Sequence, residues 1–285
     1  MQSNYIWLTA SCFCSRARWG ELLHEIKNFR TKLDHEKYVS FQIQFNDTLG
    51  DNIRVSILPT PGGLDEVGQS MEEYFGRFFS GFNDGSITSP IQGIFLPFPT
   101  NRIEFGLYNI AFDERMFPTY KTLEEMSELI IEALQHEEIT EDTLISFCFY
   151  LQIAFIKTCL PYYEQDIDAL FLALSPGNDN SPGAVLSREE LERNSDLMQE
   201  ITSDVMDQDH FDDNLEWLNR WINFCRSCLT TNMAGDSEEK MDTRSLIRNL
   251  YQTRIAQIHD QLGLSKAMKV ALHHLTIRTL WSFYK

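Results

Sequence analysis

The residues of this chain that could do chemistry by type and spacing form three small groups, and each falls short of a known site. Cys225-x-x-Cys228 has the spacing of half a zinc site, but no second cysteine pair or suitably spaced histidines accompany it. His273 and His274 are neighbours on a predicted helix, about 100° apart, so they cannot form an i, i+4 metal pair. The aspartates between positions 204 and 213 match no ligand spacing and indicate a solvated acidic loop. No metal or cofactor is therefore expected.

Motifs for nucleotide and hydrolase chemistry are missing from the sequence. The chain has no Walker loop, no G-x-G-x-x-G and no G-x-S-x-G. Its 285 residues include 24 Lys+Arg and 42 Asp+Glu, a formal net charge of −18. Such a charge repels a polyanion, so we expect no nucleic-acid partner.

The hydrophobic pattern indicates a folded protein without targeting segments. Residues 1–16 have no basic region and no small-residue cleavage site, so no signal peptide is expected. The longest apolar stretch, residues 144–160, is interrupted by Gln152 and Lys157 and falls short of the roughly 20 residues that a membrane helix needs. The six cysteines lie in periodic apolar segments, where reduced, buried thiols are typical. We expect a cytoplasmic protein with no membrane partner, as a monomer or homodimer.

Strand and helix patterns alternate in the first half of the chain. The alternation of apolar residues predicts strands, and recurrence every three or four residues predicts helices. The predicted elements are a strand over 5–14, a helix over 16–32, a hairpin of 38–45 and 52–58 around a turn at 46–51, a helix over 64–79, and extended segments over 92–98 and 103–112.

The second half is predicted to be helical. Two capping boxes, Thr122-x-x-Glu125 and Ser187-x-x-Glu190, predict helix starts, the first helix ending near residue 136. Gly263 has the position of a C-cap. The further predicted elements are helices over 142–159, 216–229, 245–261 and 265–283 and a surface loop over 175–183.

The order of these elements predicts an α+β fold. The first half has the order β-α-β-β-α-β of a ferredoxin-like unit, and the second half is largely helical. We expect a sheet region over residues 1–118 and a helical region over residues 119–285 that packs on it, forming one composite domain.

Three separated stretches of this sequence resemble the C-terminal domain of lantibiotic dehydratases and its stand-alone relatives, the thiopeptide-type bacteriocin biosynthesis proteins. Residues 38–57 look like the family's F-F-I-R-Y-x-D … H-L-R-L-R hairpin. Residues 100–109 lie where the family carries Y-E-x-E-x-x-R-Y-G-G, and residues 254–264 look like its H-M-x-x-N-R-L-G region. The order and spacing of the three stretches carry the resemblance along most of the chain.

The departures from the family pattern concern charged residues. In the dehydratases, this domain eliminates glutamate from glutamylated Ser or Thr with arginines and a histidine from these stretches. Here those arginines correspond to Gln44, Ser56 and Leu107, the histidine falls near Ala256 or Gln257, and only Arg54 is kept. A site that binds and expels a glutamyl carboxylate needs positive charge and a proton-transfer group, so glutamate elimination is disfavoured.

Stand-alone members without those residues resemble the thiopeptide pyridine synthases. The resemblance then implies a formal aza-[4+2] cycloaddition between two dehydroalanines of a leader-bearing peptide, followed by loss of water and of the leader peptide, which yields a pyridine-centred macrocycle. Such an enzyme acts mainly by orienting a neutral chain. From the matching segments we nominate catalytic residues Tyr108, Glu104 and His259 and substrate-binding residues Arg54, Arg102, Arg254, Gln44 and Ser56.

The roles expected of these residues follow from the same resemblance. Tyr108 would donate to the reacting amide, His259 would relay protons during dehydration, and Arg54 would orient a peptide carbonyl. The partner would be the modified precursor peptide with its leader, bound through apolar contacts or local basic residues such as Arg16, Arg18 and Arg30, together with other biosynthetic enzymes. Two alternatives stay open: a split dehydratase subunit that eliminates glutamate, which predicts three or more convergent cationic or histidine side chains, and a non-catalytic leader-binding subunit, which predicts an open groove.

Overall fold

The computed structural model describes residues 5–82, 100–163, 167–174, 195–212, 215–234 and 242–284. The chain divides into two compact units. Unit 1 comprises Met1–Thr140 and Gln261–Gly263, and unit 2 comprises Glu141–Asp260 and Leu264–Lys285. The boundary expected from the sequence lies after residue 118. In the structure this position is in the first turn of the helix Phe117–Leu134, which belongs to unit 1.

Unit 1 contains a four-stranded antiparallel sheet in the order β2-β3-β1-β4. This order is the ferredoxin-like arrangement that the alternation of strand and helix patterns predicts. The strands are β1 (Leu8–Phe13), β2 (Tyr38–Asn46), β3 (Asn52–Pro59) and β4 (Arg102–Phe105), with α1 (Trp19–Lys32) after β1 and α2 (Leu64–Ser80) after β3.

One face of this sheet is apolar and packs against α1 and α2. Trp19 of α1 contacts Phe45 of β2, with ring centroids 4.9 Å apart, and Phe29 of α1 contacts Phe75 of α2 at 5.3 Å. The apolar residues that recur every three or four positions form the buried faces, except that Leu64, Tyr74 and Phe78 of the face predicted for α2 are only partly buried. The buried faces consist of Leu22, Leu23, Ile26 and Phe29 in α1 and of Val67, Met71, Phe75 and Phe79 in α2.

The edge of β2 is covered by α3 (Phe117–Leu134) and by the segment 261–263. The hydroxyl of Ser127 in α3 accepts a hydrogen bond from the Ile43 N–H at 3.0 Å. Gly263 has φ +67°, as expected of a C-cap, and lies so close to Phe45 that a Cβ would be 2.7 Å from its carbonyl oxygen. These contacts satisfy and shield an edge that would otherwise be open.

Two predicted boundaries in unit 1 were wrong. Thr122 does not begin a helix: α3 begins at Phe117, with Pro118 in its first turn, and the Thr122 hydroxyl donates to the Pro118 carbonyl at 3.1 Å. The last strand ends at Phe105 rather than at residue 112, because Gly106 turns the chain with φ +76°. The predicted extended segment at 92–98 lies outside the described residues.

The described secondary-structure elements of unit 2 are all helices. Its helices are α4 (Glu141–Cys159), α5 (Ile167–Leu174), α6 (Ser195–Asp207), α7 (Glu216–Ala234), α8 (Thr243–Gln261, whose last residue belongs to unit 1) and α9 (Lys266–Tyr284). The predicted loop at 175–183 and the capping box at 187–190 lie outside the described residues.

The apolar helix α4 is the core helix of unit 2. The stretch Glu141–Tyr163 is long and apolar enough to cross a membrane by composition, but 72% of its most apolar window is buried within the protein. It contacts α6, α7 and α9. Burial on all sides explains its continuous apolar sequence.

The six cysteines form no disulfide, and all but Cys228 are buried. Burial raises the pKa of the Cys12 and Cys225 thiols well above their ordinary value, so both stay protonated. Cys225 is thus a buried packing residue of α7.

Candidate functional site

The sheet face opposite α1 and α2 carries polar side chains. The strand register pairs Gln44 with Arg54, Arg54 with Ser11, and Ser11 with Glu104. Because directly paired residues point to the same side of a sheet, these four side chains form one row across all four strands. We call this set, Gln44, Arg54, Ser11 and Glu104, the polar row. A partly buried row of polar groups is unusual for a sheet and marks a candidate site.

Arg54 lies at the centre of the polar row. Its Nη1 donates to Gln44 Oε1 at 3.1 Å, and its guanidinium carbon lies 3.1 Å from the ring centroid of Tyr108, a cation–π stack. Partial burial lowers the pKa of Arg54 from its ordinary value, and Tyr108 acts in the opposite direction. An arginine remains protonated under such a shift. Arg54 is therefore a cation held by a ring and an amide, with no carboxylate partner among the described residues.

Tyr108 reaches Arg54 because the loop after β4 is anchored at both ends. Gly106 turns the chain away from the strand, and farther on the Asp113 N–H donates to the Tyr120 hydroxyl at 3.0 Å. The Tyr108 hydroxyl is buried and makes no hydrogen bond of good geometry with a described residue, although its side chain interacts with Arg54 and raises the pKa of that guanidinium. Between the two anchors, apolar side chains of the loop pack on a buried cluster; this packing involves Ile110 and Phe112 on Trp7, Leu58 and Tyr120.

Ser11 is a polar-row residue that the sequence analysis missed. Its side chain is 1% exposed, and its hydroxyl has no hydrogen-bond partner among the described residues. The signal was present in β1, where Thr9 and Ser11 alternate with Ala10 and Cys12, but the resemblance to the family does not include this strand.

Ser56 lies next to the polar row and is used within the protein. Its hydroxyl is 3.0 Å from that of Thr9, and both side chains are buried. The hydroxyl pair satisfies the two groups mutually, so Ser56 is a weaker candidate for substrate binding than Ser11.

Glu104 and Arg102 form an ion pair with each other on β4. Both side chains are about one-third exposed, at 32% and 39%. Their charges cancel, so the polar row together with Arg102 retains one net cation, Arg54.

His259 lies in unit 2, where Gln152 is its partner. Gln152 is fully buried, and its Oε1 accepts from the Tyr251 hydroxyl at 2.8 Å and from the Thr276 hydroxyl at 2.9 Å. This leaves the amide nitrogen of Gln152 to donate to His259 Nε2 at 3.4 Å, which places the imidazole proton on Nδ1. Burial, together with Lys269 and His273, lowers the pKa of His259 to about 3. His259 is therefore a neutral imidazole and a weak base, a poorer candidate for proton transfer than the sequence analysis expects.

Arg254 also lies in unit 2. Its Nη1 donates to Gln257 Oε1 at 3.0 Å within α8. The structure thus brings together Tyr108, Arg54 and Gln44, places Ser56, Glu104 and Arg102 on the same sheet face, and puts His259 and Arg254 in the other unit.

Two of the three basic residues proposed for a leader peptide are used in intramolecular ion pairs. Arg16 pairs with Asp51 at 3.0 Å, and Arg30 pairs with Glu124 at 3.0 Å. The Arg18 guanidinium lies 4.1 Å from the Phe82 ring centroid. A leader bound at these residues would have to displace existing partners.

The polar row can orient a neutral chain better than it can expel an anion. The Ser11 hydroxyl of the row and the neighbouring Tyr108 hydroxyl have no hydrogen-bond partner among the described residues, and they lie beside the Arg54 guanidinium, which has no described carboxylate partner. Neutral donors stabilise an amide oxygen and its tautomers. Binding and expelling a carboxylate normally calls for several cations and a proton donor.

Comparison with known proteins gives matches at the level of structure only. No family model matches the chain, and no curated protein sequence does. The structure of the pyridine synthase TbtD from thiomuracin biosynthesis matches with a TM-score of 0.67 at 15% identity, over 98% of this chain and 99% of that chain. TsrL matches with a TM-score of 0.61 at 12% identity, over 99% of this chain and 96% of that chain.

A third match concerns a much longer protein. The tRNA-dependent lantibiotic dehydratase MibB from Microbispora sp. 107891 matches with a TM-score of 0.50 at 14% identity. The match covers 98% of this chain and 28% of the dehydratase. The fold that the sequence resemblance predicts is thereby confirmed: this chain has the fold shared by the pyridine synthase TbtD, TsrL and a segment of MibB.

Proposed function

We propose that this protein is a peptide-modifying enzyme of thiopeptide-type biosynthesis that builds a pyridine-type macrocycle from two dehydroalanines. One dehydroalanine, with the imidic tautomer of its neighbouring amide, acts as a 2-azadiene, and the second acts as the dienophile. Two C–C bonds form, one from the CH2 carbon and one from the imidic carbon of the azadiene, and loss of water and of the leader peptide as an amide makes the ring aromatic. The supporting observation is a full-length fold match to a pyridine synthase combined with a site that keeps a single unpaired cation.

The proposed reaction fits a site of neutral donors because its main barrier is bringing two distant alkenes together. Orientation alone supplies roughly 7–11 kcal/mol in favourable cases. We assign the Tyr108 hydroxyl to the reacting amide and Arg54 to a peptide carbonyl, with Ser11 as a further donor. Gln44 fixes the Arg54 guanidinium from the other side.

The test is incubation of the full chain with a synthetic leader-linked peptide that carries two dehydroalanines. Mass spectrometry should detect a macrocycle and a released leader amide. Release of glutamate from a glutamylated peptide would indicate the split-dehydratase alternative instead. Leader binding without any product would indicate the non-catalytic alternative.

A substitution beside the polar row tests whether the activity depends on this site. Tyr108→Phe keeps the ring on Arg54 and removes only the hydroxyl, so we expect turnover to fall by about a hundredfold with unchanged folding. Tyr162→Phe is a matched control, since Tyr162 is 37% exposed. Equal rates for Tyr108→Phe and the control would refute the role of the hydroxyl.

A further inference from the structure

Unit 2 contains a cavity that the polar row does not involve. It has a volume of about 280 Å³ and lies between α8 and α9, next to the end of α5. Two histidines, His259 and His273, contribute to its wall. The apolar part of the lining is formed by Leu174, Ile255, Ala256 and Val270.

His259 presents a hydrogen-bond donor without a partner. Its Nε2 is engaged by Gln152, so the ring proton is on Nδ1, at the other side of the ring. No described residue accepts a hydrogen bond from Nδ1, although the side chain is only 4% exposed. Nδ1 therefore depends on solvent or on a ligand group in the cavity that His259 lines.

His273 presents the complementary group. Its Nε2 is within hydrogen-bond distance of the Leu174 carbonyl. A carbonyl oxygen only accepts, so Nε2 carries the proton and Nδ1 has a lone pair to which no described residue donates. Burial lowers the pKa of His273 to about 4, so the ring is neutral. The two imidazoles therefore give the cavity wall one neutral donor and one neutral acceptor, beside the polar side chains of Gln252 and Lys269.

The chemistry of this wall selects an uncharged ligand. A carboxylate or an ammonium group among apolar side chains and neutral imidazoles would be buried without a counter-ion. The cation on the lining, Lys269, is paired with Asp260. A secondary amide, in contrast, supplies one acceptor and one donor.

We propose that this cavity binds an uncharged secondary amide with an apolar substituent, its carbonyl accepting from His259 Nδ1 and its N–H donating to His273 Nδ1. The identification of this amide as part of a peptide substrate rests on the proposed function. His259 is then a binding residue rather than a proton relay.

The first experiment uses two small probes on the full chain. N-acetyl-leucine N-methylamide carries the amide, and N-acetyl-leucine is its charged counterpart. ¹⁵N spectra of the histidine side chains should show a proton on His259 Nδ1 and on His273 Nε2. The uncharged probe should shift both rings and bind at least about tenfold more tightly than the acid. Equal binding of the two probes, or shifts at neither ring, would overturn the proposal.

Variants of His259 separate hydrogen bonding from packing. His259→Asn retains a donor near the Nδ1 position and should retain binding, whereas His259→Leu should lose about tenfold. Ala256→Trp fills the cavity and should abolish binding, with thermal unfolding as the folding control for all three. Binding to His259→Leu as tight as to the unmodified chain would contradict the proposal.

A third arm tests the peptide source. The peptide with two dehydroalanines should displace the uncharged probe from the cavity. Turnover of that peptide without displacement would overturn the peptide assignment and leave the proposed reaction standing. Displacement without turnover would support the cavity site and count against the proposed reaction.

Discussion

Acidification should destabilise unit 2, because two imidazoles are buried in neutral form. Burial lowers the pKa of His259 to about 3 and that of His273 to about 4, whereas an unfolded histidine titrates near 6.5. The folded pKa lies below the unfolded one, so the contribution to stability is fully present above about pH 6.5 and is lost as the pH falls towards the folded values. As the pH falls from about 7 to about 5, each ring lowers the free energy of unfolding by about 2 kcal/mol, and the pair lowers it by about 4 kcal/mol.

The net charge of the chain has the opposite effect on how stability changes with pH. At −18, the folded protein is destabilised by self-repulsion, and protonation of carboxylates relieves it. The assay is therefore a comparison of variants: urea unfolding of the unmodified chain, His259→Gln and His273→Gln at about pH 7 and about pH 5. Each variant should lose about 2 kcal/mol of the pH dependence. Identical pH dependence in all three proteins would refute the buried neutral histidines.

Two further substitutions test the contacts that hold each unit together. Gln152→Leu leaves the buried Tyr251 hydroxyl without its acceptor and should lower the free energy of urea unfolding by about 2–3 kcal/mol; a loss below about 1 kcal/mol would contradict the network. Gly263→Ala combines a positive φ with a Cβ only 2.7 Å from the Phe45 carbonyl oxygen, so it should cost clearly more than Gly106→Ala, where φ is also positive but nothing lies within 4 Å. The control should cost about 1 kcal/mol, and equal losses in the two variants would show that the Gly263 contact is unimportant.

The sequence predicts the fold well where the period of apolar residues decides the structure. The hairpin of β2 and β3 and the buried faces of α1 and α2 follow directly from alternation and from the 3.6-residue repeat. The sequence predicts the fold less well where a local signal, such as a capping residue, competes with tertiary packing. Thr122 begins a capping-box sequence, but α3 starts five residues earlier, at Phe117, because Pro118 fits the first turn of a helix.

The candidate site could be predicted only in part. Gln44 and Arg54 were found because the resemblance covers their hairpin, and the register does pair them. Ser11 was missed because one hydroxyl on a strand gives no signal until the sheet order places it beside Arg54. The protonation state of His259 could not be predicted from the sequence, since its low pKa comes from burial within unit 2.

The covered edge of β2 has a consequence for how a peptide can be recognised. With the Ile43 N–H bonded to Ser127 and Gly263 packed against the Phe45 carbonyl, this part of the β2 edge has no room for a paired guest strand. Recognition that needs main-chain pairing along β2 is thus closed off. A guest chain at this edge must instead be recognised through its side chains and individual amides.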